Sequence, residues 1–129
     1  MKDYFENEYE TIWLENGIIH IVFKPDLFIN LEIAKTFVQA GLKTINKKTR
    51  PVFADIRGMK RIDDDARDYW ATQEACNFIS GMAIFSGNRI QTLFANFYIN
   101  FSKPLTPTKL FTDKTKALKW LEQYKIAKT

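Results

Sequence analysis

The chain holds one cysteine, Cys76, and one histidine, His20, so thiol–imidazole chemistry would have to join those two residues. Their surroundings argue for structural roles: Cys76 falls late on the apolar side of a helical pattern and His20 lies in a strand pattern, whereas reactive thiols occupy electropositive, exposed settings. One thiol and one imidazole are also too few for a zinc site, which takes three or four ligands at recognisable spacing. Asp63, Asp64, Asp65 and Asp68 form the densest group of carboxylates, and a hard cation such as magnesium could sit among them. Acids at the head of a helix are accounted for by its unpaired N–H groups and positive dipole end, and capping is the reading adopted. The five glycines, Gly17, Gly41, Gly58, Gly81 and Gly87, match neither dinucleotide-binding nor P-loop spacing. No set of acid, base and nucleophile can be assembled. The sequence therefore predicts no enzyme, no cofactor and no metal.

The elements that must position any other kind of site are easier to read. Residues 9–15 and 18–23 are rich in β-branched and aromatic side chains and flank Asn16-Gly17, the dipeptide a type I′ turn demands, which predicts an antiparallel hairpin. Lys24, Pro25 and Asp26 end the second strand. Asn30 is placed to cap a helix whose apolar positions Leu31, Ala34, Val38, Gly41, Leu42 and Ile45 keep three-and-four spacing. Lys43, Lys47, Lys48 and Arg50 near its end suit the negative pole of the dipole. Residues 51–56 form a short apolar run expected of a strand covered on both faces.

After Arg57-Gly58, the aspartates open a second helix with Ala66, Tyr69, Trp70, Gln73 and Cys76 along one line. Residues 78–85 give another strand, and Asn88 caps a third helix. There Ile90, Leu93, Phe94, Phe97, Tyr98 and Phe101 form an unbroken apolar stripe. Pro104 and Pro107 end it; residues 108–111 make a last strand, and Thr112-Asp113 cap a last helix with Ala117, Leu118, Leu121 and Tyr124 inward. The predicted order is β-β-α-β-α-β-α-β-α. Such alternation implies an α/β fold: a five-stranded mixed sheet with four helices, its first strand antiparallel at an edge and the others parallel. Residues 9–126 should form one domain after a flexible lead at 1–8.

Composition supports that reading and narrows the setting. With 129 residues, 46% hydrophobic and 26% charged, the chain is long enough for one packed core and unlike a disordered or low-complexity segment. A single cysteine excludes an internal disulfide framework and suits a reducing compartment. Residues 1–15 carry one lysine against five acids, the reverse of a signal peptide, and charged residues interrupt every candidate membrane span. A cytoplasmic protein is expected. The net charge of +4 gathers in residues 103–129, seven lysines against Asp113 and Glu122, but it is scattered like a solvated helix face and accompanied by no nucleic-acid motif. No nucleic-acid partner is predicted.

Position then supplies what motif does not. In parallel sheets, ligands and partners dock on the loops beyond the carboxyl ends of the strands, where helix N-termini point their N–H groups. Asp55, Arg57 and Gly58 in one such loop, with Ser86, Asn88 and Arg89 in the next, are the candidate site for a protein partner or small regulatory ligand. Arg57 and Arg89 would supply charge there, and Asp55 would hold its loop. The alternative is an apolar ligand or lipid in a pocket lined by Trp70, Phe94, Phe97 and Phe101. The aromatic stripe is read first as core, and next as a homodimer contact.

Three segments carry a family resemblance: residues 66–70, residues 90–101 including Ala95-Asn96-Phe97-Tyr98, and residues 107–113 followed by Ala117-Leu118-Lys119-Trp120-Leu121. Together they resemble the bacterial SpoIIAA-like proteins of the STAS superfamily, over residues 9–124. The resemblance implies a mixed sheet flanked by helices in a βα superhelix, and non-enzymatic regulation or ligand sensing. It is also linked to Sec14-like lipid carriers. Regulatory members carry a phosphorylatable Ser or Thr soon after an aspartate; Asp55 matches the aspartate, but Arg57 stands where the hydroxyl would be, and no Ser or Thr lies between Pro51 and Trp70. The phosphorylation switch is not carried over.

Overall fold

In a computed structural model, which describes residues 4–45 and 48–125, the chain builds around strand β5, Arg50–Asp55. Its side chains alternate between two covered faces: Val52 and Ala54 pack toward one helical layer and Phe53 toward another. This is the buried strand expected of a continuous apolar run. Beside it lie β3 (Ile18–Phe23) and β7 (Ile79–Phe85), both parallel to it. Strand β8 (Thr108–Phe111) extends the parallel part beyond β7. On the other side, β2 (Glu10–Glu15) runs antiparallel to β3. Asn16 and Gly17 join those two strands with φ of 55° and 77°, the two positive values that a type I′ turn needs.

The sheet has six strands rather than five. Strand β1 (Tyr4–Glu6), inside the lead expected to be flexible, pairs antiparallel with β2 and takes the edge position. Asn7 makes the reversal possible: its side-chain oxygen accepts from the backbone N–H groups of Tyr9 and Glu10. A second sheet was not foreseen. Strands β4 (Leu27–Ile29) and β6 (Met59–Ile62) pair in parallel over the carboxyl end of the main sheet. At three and four residues they are too short to carry a periodic signal, and Lys60 and Arg61 break the apolar character of β6. Expectations about Lys47 and about the domain end at residue 126 fall outside the described residues.

Helix α1 (Leu31–Ile45) is capped by Asn30, whose side chain accepts from the Ile33 N–H at 2.8 Å. The helix predicted over the aspartates is two short ones, α2 (Asp64–Tyr69) and α3 (Gln73–Cys76). Thr72 divides them by donating its hydroxyl to the Tyr69 carbonyl and accepting from the Ala75 N–H, so it ends one helix and starts the next. Helix α4 (Arg89–Phe97) continues into a π turn, Tyr98–Ser102, which Lys103 closes at φ 53°. The sheet's other face is covered by α5 (Lys114–Leu121), whose Ala117 and Leu121 pack on Phe53 and Ala83. A 3₁₀ turn, Glu122–Tyr124, follows it.

The apolar stripe of the third predicted helix divides. Phe94, Ala95, Tyr98 and Ile99 pack into the core, while Ile90, Leu93, Phe97 and Phe101 are exposed. At about 100° per residue the second group lies a quarter-turn or more away from the centre of the first. Gln91, not Ile90, takes the buried place at the head of α4. Reading the whole stripe as core was therefore incorrect: its arc is wider than the sheet surface that α4 covers.

Candidate functional site

The site begins at the last residue of β5. Asp55 is buried, and its carboxylate accepts from the Arg57 backbone N–H at 3.1 Å, from Arg57 Nε at 2.9 Å and from Nη2 at 2.9 Å. A two-point carboxylate–guanidinium pair of this kind fixes the arginine's plane as well as its charge. The Asp55 carboxylate also holds the Arg57 pKa above its ordinary value. Beyond the pair, the guanidinium carbon sits 4.7 Å from the centroid of the Phe85 ring, so the side chain lies across the end of β7.

The loop after Arg57 can turn there only because position 58 is glycine. A Cβ on Gly58 would stand 2.3 Å from the Lys24 carbonyl oxygen and 2.5 Å from that of Phe23, both rigid backbone. Gln91 joins this loop to the next. It is buried, accepts from the Gly87 N–H at 2.8 Å, and donates to the Arg57 carbonyl at 2.8 Å and the Met59 carbonyl at 3.1 Å. Asn88 caps α4 by accepting from the Gln91 N–H at 2.8 Å. Ser86 is buried beneath, its hydroxyl 2.9 Å from that of Thr92.

The two loops and the chain after β3 enclose an open cleft of about 560 Å³. Of the predicted site residues, Asp55, Arg57, Gly58 and Asn88 line it, joined by Pro25, Asp26, Lys60 and Ile90. Ser86 supports the cleft from below rather than lining it, and Arg89 is exposed on the first turn of α4, outside it. The expected pairing of two arginines is thus corrected to one. With Asp55 bound to Arg57, and Asp26 and Lys60 on the wall, the cleft presents hydrogen-bonding groups of balanced charge.

The predicted apolar pocket is also rearranged. A cavity of about 100 Å³ lies between α1, the π turn and the sheet, lined by Trp70 and Phe94 together with Ile21, Val52, Met82 and Tyr98. Phe97 and Phe101 do not reach it; they stack on each other on the outer surface, ring centroids 4.8 Å apart. Trp70 is fixed by donating Nε1–H to the Ala34 carbonyl, and its own carbonyl accepts from the Tyr98 hydroxyl at 2.8 Å. Burial pushes the Tyr98 phenol pKa up. Cys76 lines the same cavity, its thiol directed to the Trp70 carbonyl. His20 stacks on Trp13 at 5.1 Å within the sheet.

The aspartates act in part as expected: Asp64 and Asp65 lie in the first turn of α2, where acids suit the positive dipole end. Asp63 occupies the cap position of α2 but makes no side-chain cap bond, while Asp64 and Asp68 both pair with Arg67, at 3.0 and 3.1 Å. Two buried polar residues escaped the sequence reading. Gln91 gave no signal, because amphipathic spacing favours Ile90 for the inward place. Glu10 did give one: in period-two alternation it shares the face of Ile12, and both are fully buried.

These features define the class of protein: an α/β domain with a SpoIIAA-like fold. Among solved structures, an uncharacterised protein of the DUF3478 family from Shewanella loihica PV-4, described as having a SpoIIAA-like fold, superposes with a TM-score of 0.59 at 18% identity. The match covers 91% of this chain and 98% of that one. The chain itself belongs to the DUF7793 family, a domain of unknown function whose sequence model matches residues 12–125. No curated protein matches it. Among the described residues, no helix is long and apolar enough to cross a membrane.

Proposed function

We propose that this is a non-catalytic binding domain that takes a polar segment of a protein partner in the cleft at the carboxyl ends of its parallel strands. The observation that carries the reading is the Asp55–Arg57 pair, held in one plane over Phe85 while Gln91 locks the loops on either side. A recognition surface gains from such preorganisation, because little ordering is left for the moment of binding. The balance of Arg57 and Lys60 against Asp26 and Asp55 favours a peptide surface over a free anion. A regulatory role without the Ser/Thr switch fits Arg57 at the position of the hydroxyl. A non-catalytic role fits the commitments of the reactive groups: Asp55 to Arg57, and Cys76 to an apolar cavity. The test is recovery of a partner by the tagged protein, then titration of that partner with wild type and with Arg57→Ala/Lys60→Ala, both cleft-lining positions. Equal affinity would remove the cleft as the docking site.

The cavity supports a second reading, a carrier of a small apolar molecule. A volume of about 100 Å³ suits the end of a short acyl chain, being smaller than the engineered cavities of about 150 Å³ that take up benzene. Native mass spectrometry of freshly purified protein discriminates: a carrier retains added mass, and a clean apo mass rejects it.

A further inference from the structure

We infer that the outward face of α4 and the π turn joins two copies of this chain in a symmetric dimer. Ile90, Leu93, Phe97 and Phe101 are 69%, 62%, 43% and 71% exposed and follow one another at intervals of three, four and four residues. They form a stripe rather than scattered surface residues, and Leu105, 63% exposed, widens its end. Side chains of this size and exposure present on the order of 600 Å² of apolar surface, at the upper limit for a monomer's largest patch. A standard interface takes about 800 Å² from each partner, so this face with a polar rim is the right size for one. Its aromatic centre is already ordered: Phe97 stacks on Phe101, and the Arg67 guanidinium lies 4.4 Å from the Phe97 centroid. Ordered aromatic and arginine anchors are what interface centres use.

The occupant is a second copy because the stripe is complementary to itself. With two helices antiparallel about a two-fold axis passing between Leu93 and Phe97, Ile90 meets the partner's Phe101 and Leu93 meets the partner's Phe97. Each contact is then made twice, as an isologous interface requires. The charges at the two ends agree. Arg89 is exposed beside Ile90, while at the other end Ser102 donates to Asp68, whose side chain is 59% exposed, and Asp64 is 89% exposed. Asp64 and Asp68 share the one cation Arg67, so the three together keep a single negative charge, and the antiparallel arrangement brings Arg89 toward that group on the partner, whereas a parallel one would set like groups together.

Sedimentation velocity of the whole chain over a wide concentration range should give twice the 15.1 kDa chain mass, falling to monomer on dilution. Leu93→Lys/Phe101→Lys, both at exposed positions, should raise the dissociation constant about a hundredfold or more while circular dichroism and urea unfolding stay those of wild type. In a Cys76→Ala background, Ile90→Cys chains mixed with Phe101→Cys chains should form a disulfide between chains that neither variant forms alone, since the two positions lie about 16 Å apart along the helix. A wild type that is monomeric throughout overturns the dimer and leaves this face to a different protein or a membrane. A dimer that persists in the double-lysine variant, or cysteine variants that each link alone, overturns this face or this two-fold arrangement.

Discussion

The side-chain amide of Gln91 donates to the backbone carbonyl of Arg57 at 2.8 Å, a hydrogen bond that spans 34 residues of chain. With its bonds to Met59 and Gly87, it makes the two loops at the carboxyl end of the sheet a single rigid unit. Gln91→Leu keeps the volume but orphans those backbone groups. It should cost about 2–4 kcal/mol in urea unfolding. A cost below about 0.5 kcal/mol would mean that the loops stand without Gln91.

Asp55 and Arg57 are unequally exposed, their side chains at 8% and 56%. Removing the arginine side chain leaves a buried carboxylate with, among the described residues, only the backbone N–H of position 57 to stabilise it. Arg57→Ala should therefore destabilise by about 1–2 kcal/mol, less than a fully buried pair would because water reaches the guanidinium. Asp55→Asn/Arg57→Ala should recover part of that loss. A double-mutant cycle checks the coupling, and strictly additive effects would contradict it.

Glu10 is fully buried, and among the described residues neither carboxylate oxygen has a hydrogen-bond partner. Burial pushes its pKa up from 4.5 to about 8, the nearby Asn7 side chain opposing this in part. Because the folded state holds the extra proton, stability is greatest below the unfolded value, falls as pH rises from 4.5 to about 8, and is level above that. The fall should be on the order of 5 kcal/mol. Glu10→Gln should be the more stable protein at neutral pH and should flatten the curve across that window. Parallel curves for the two proteins would assign the pH dependence elsewhere.

Val38 lines the cavity from α1. Val38→Ile adds one methylene to that space and should stabilise the empty protein by about 0.8 kcal/mol in thermal or urea unfolding. A destabilisation instead would show the space to be filled already in the purified protein.

The architecture was legible where one physical cause dominated. Asn16-Gly17 forced the hairpin, the run around Phe53 could be satisfied only between two layers, and Asn30, Asn88 and Asp113 each cap a helix through a bond to the third residue on. It was not legible where causes compete. Thr72 breaks a helix whose apolar line continues past it, and β4 and β6 are strands because Gly58 lets two backbones meet, not because of any pattern of their own. The lining of the cleft was partly legible from position: the rule about strand ends reached Asp55, Arg57 and Asn88. It could not show that the Asp55 carboxylate would occupy the arginine, or that Arg89 would stand aside. Those outcomes depend on a buried glutamine that no periodicity points to.

The most direct test of the cleft as the docking site is backbone NMR of the ¹⁵N-labelled chain titrated with the recovered partner. The resonances shifting at low occupancy should cluster at residues 55–60 and 86–91, and Arg57→Ala should abolish those shifts while Lys119→Ala on α5 leaves them unchanged. Shifts confined to α5, or the same shifts in Arg57→Ala as in wild type, would contradict docking in the cleft.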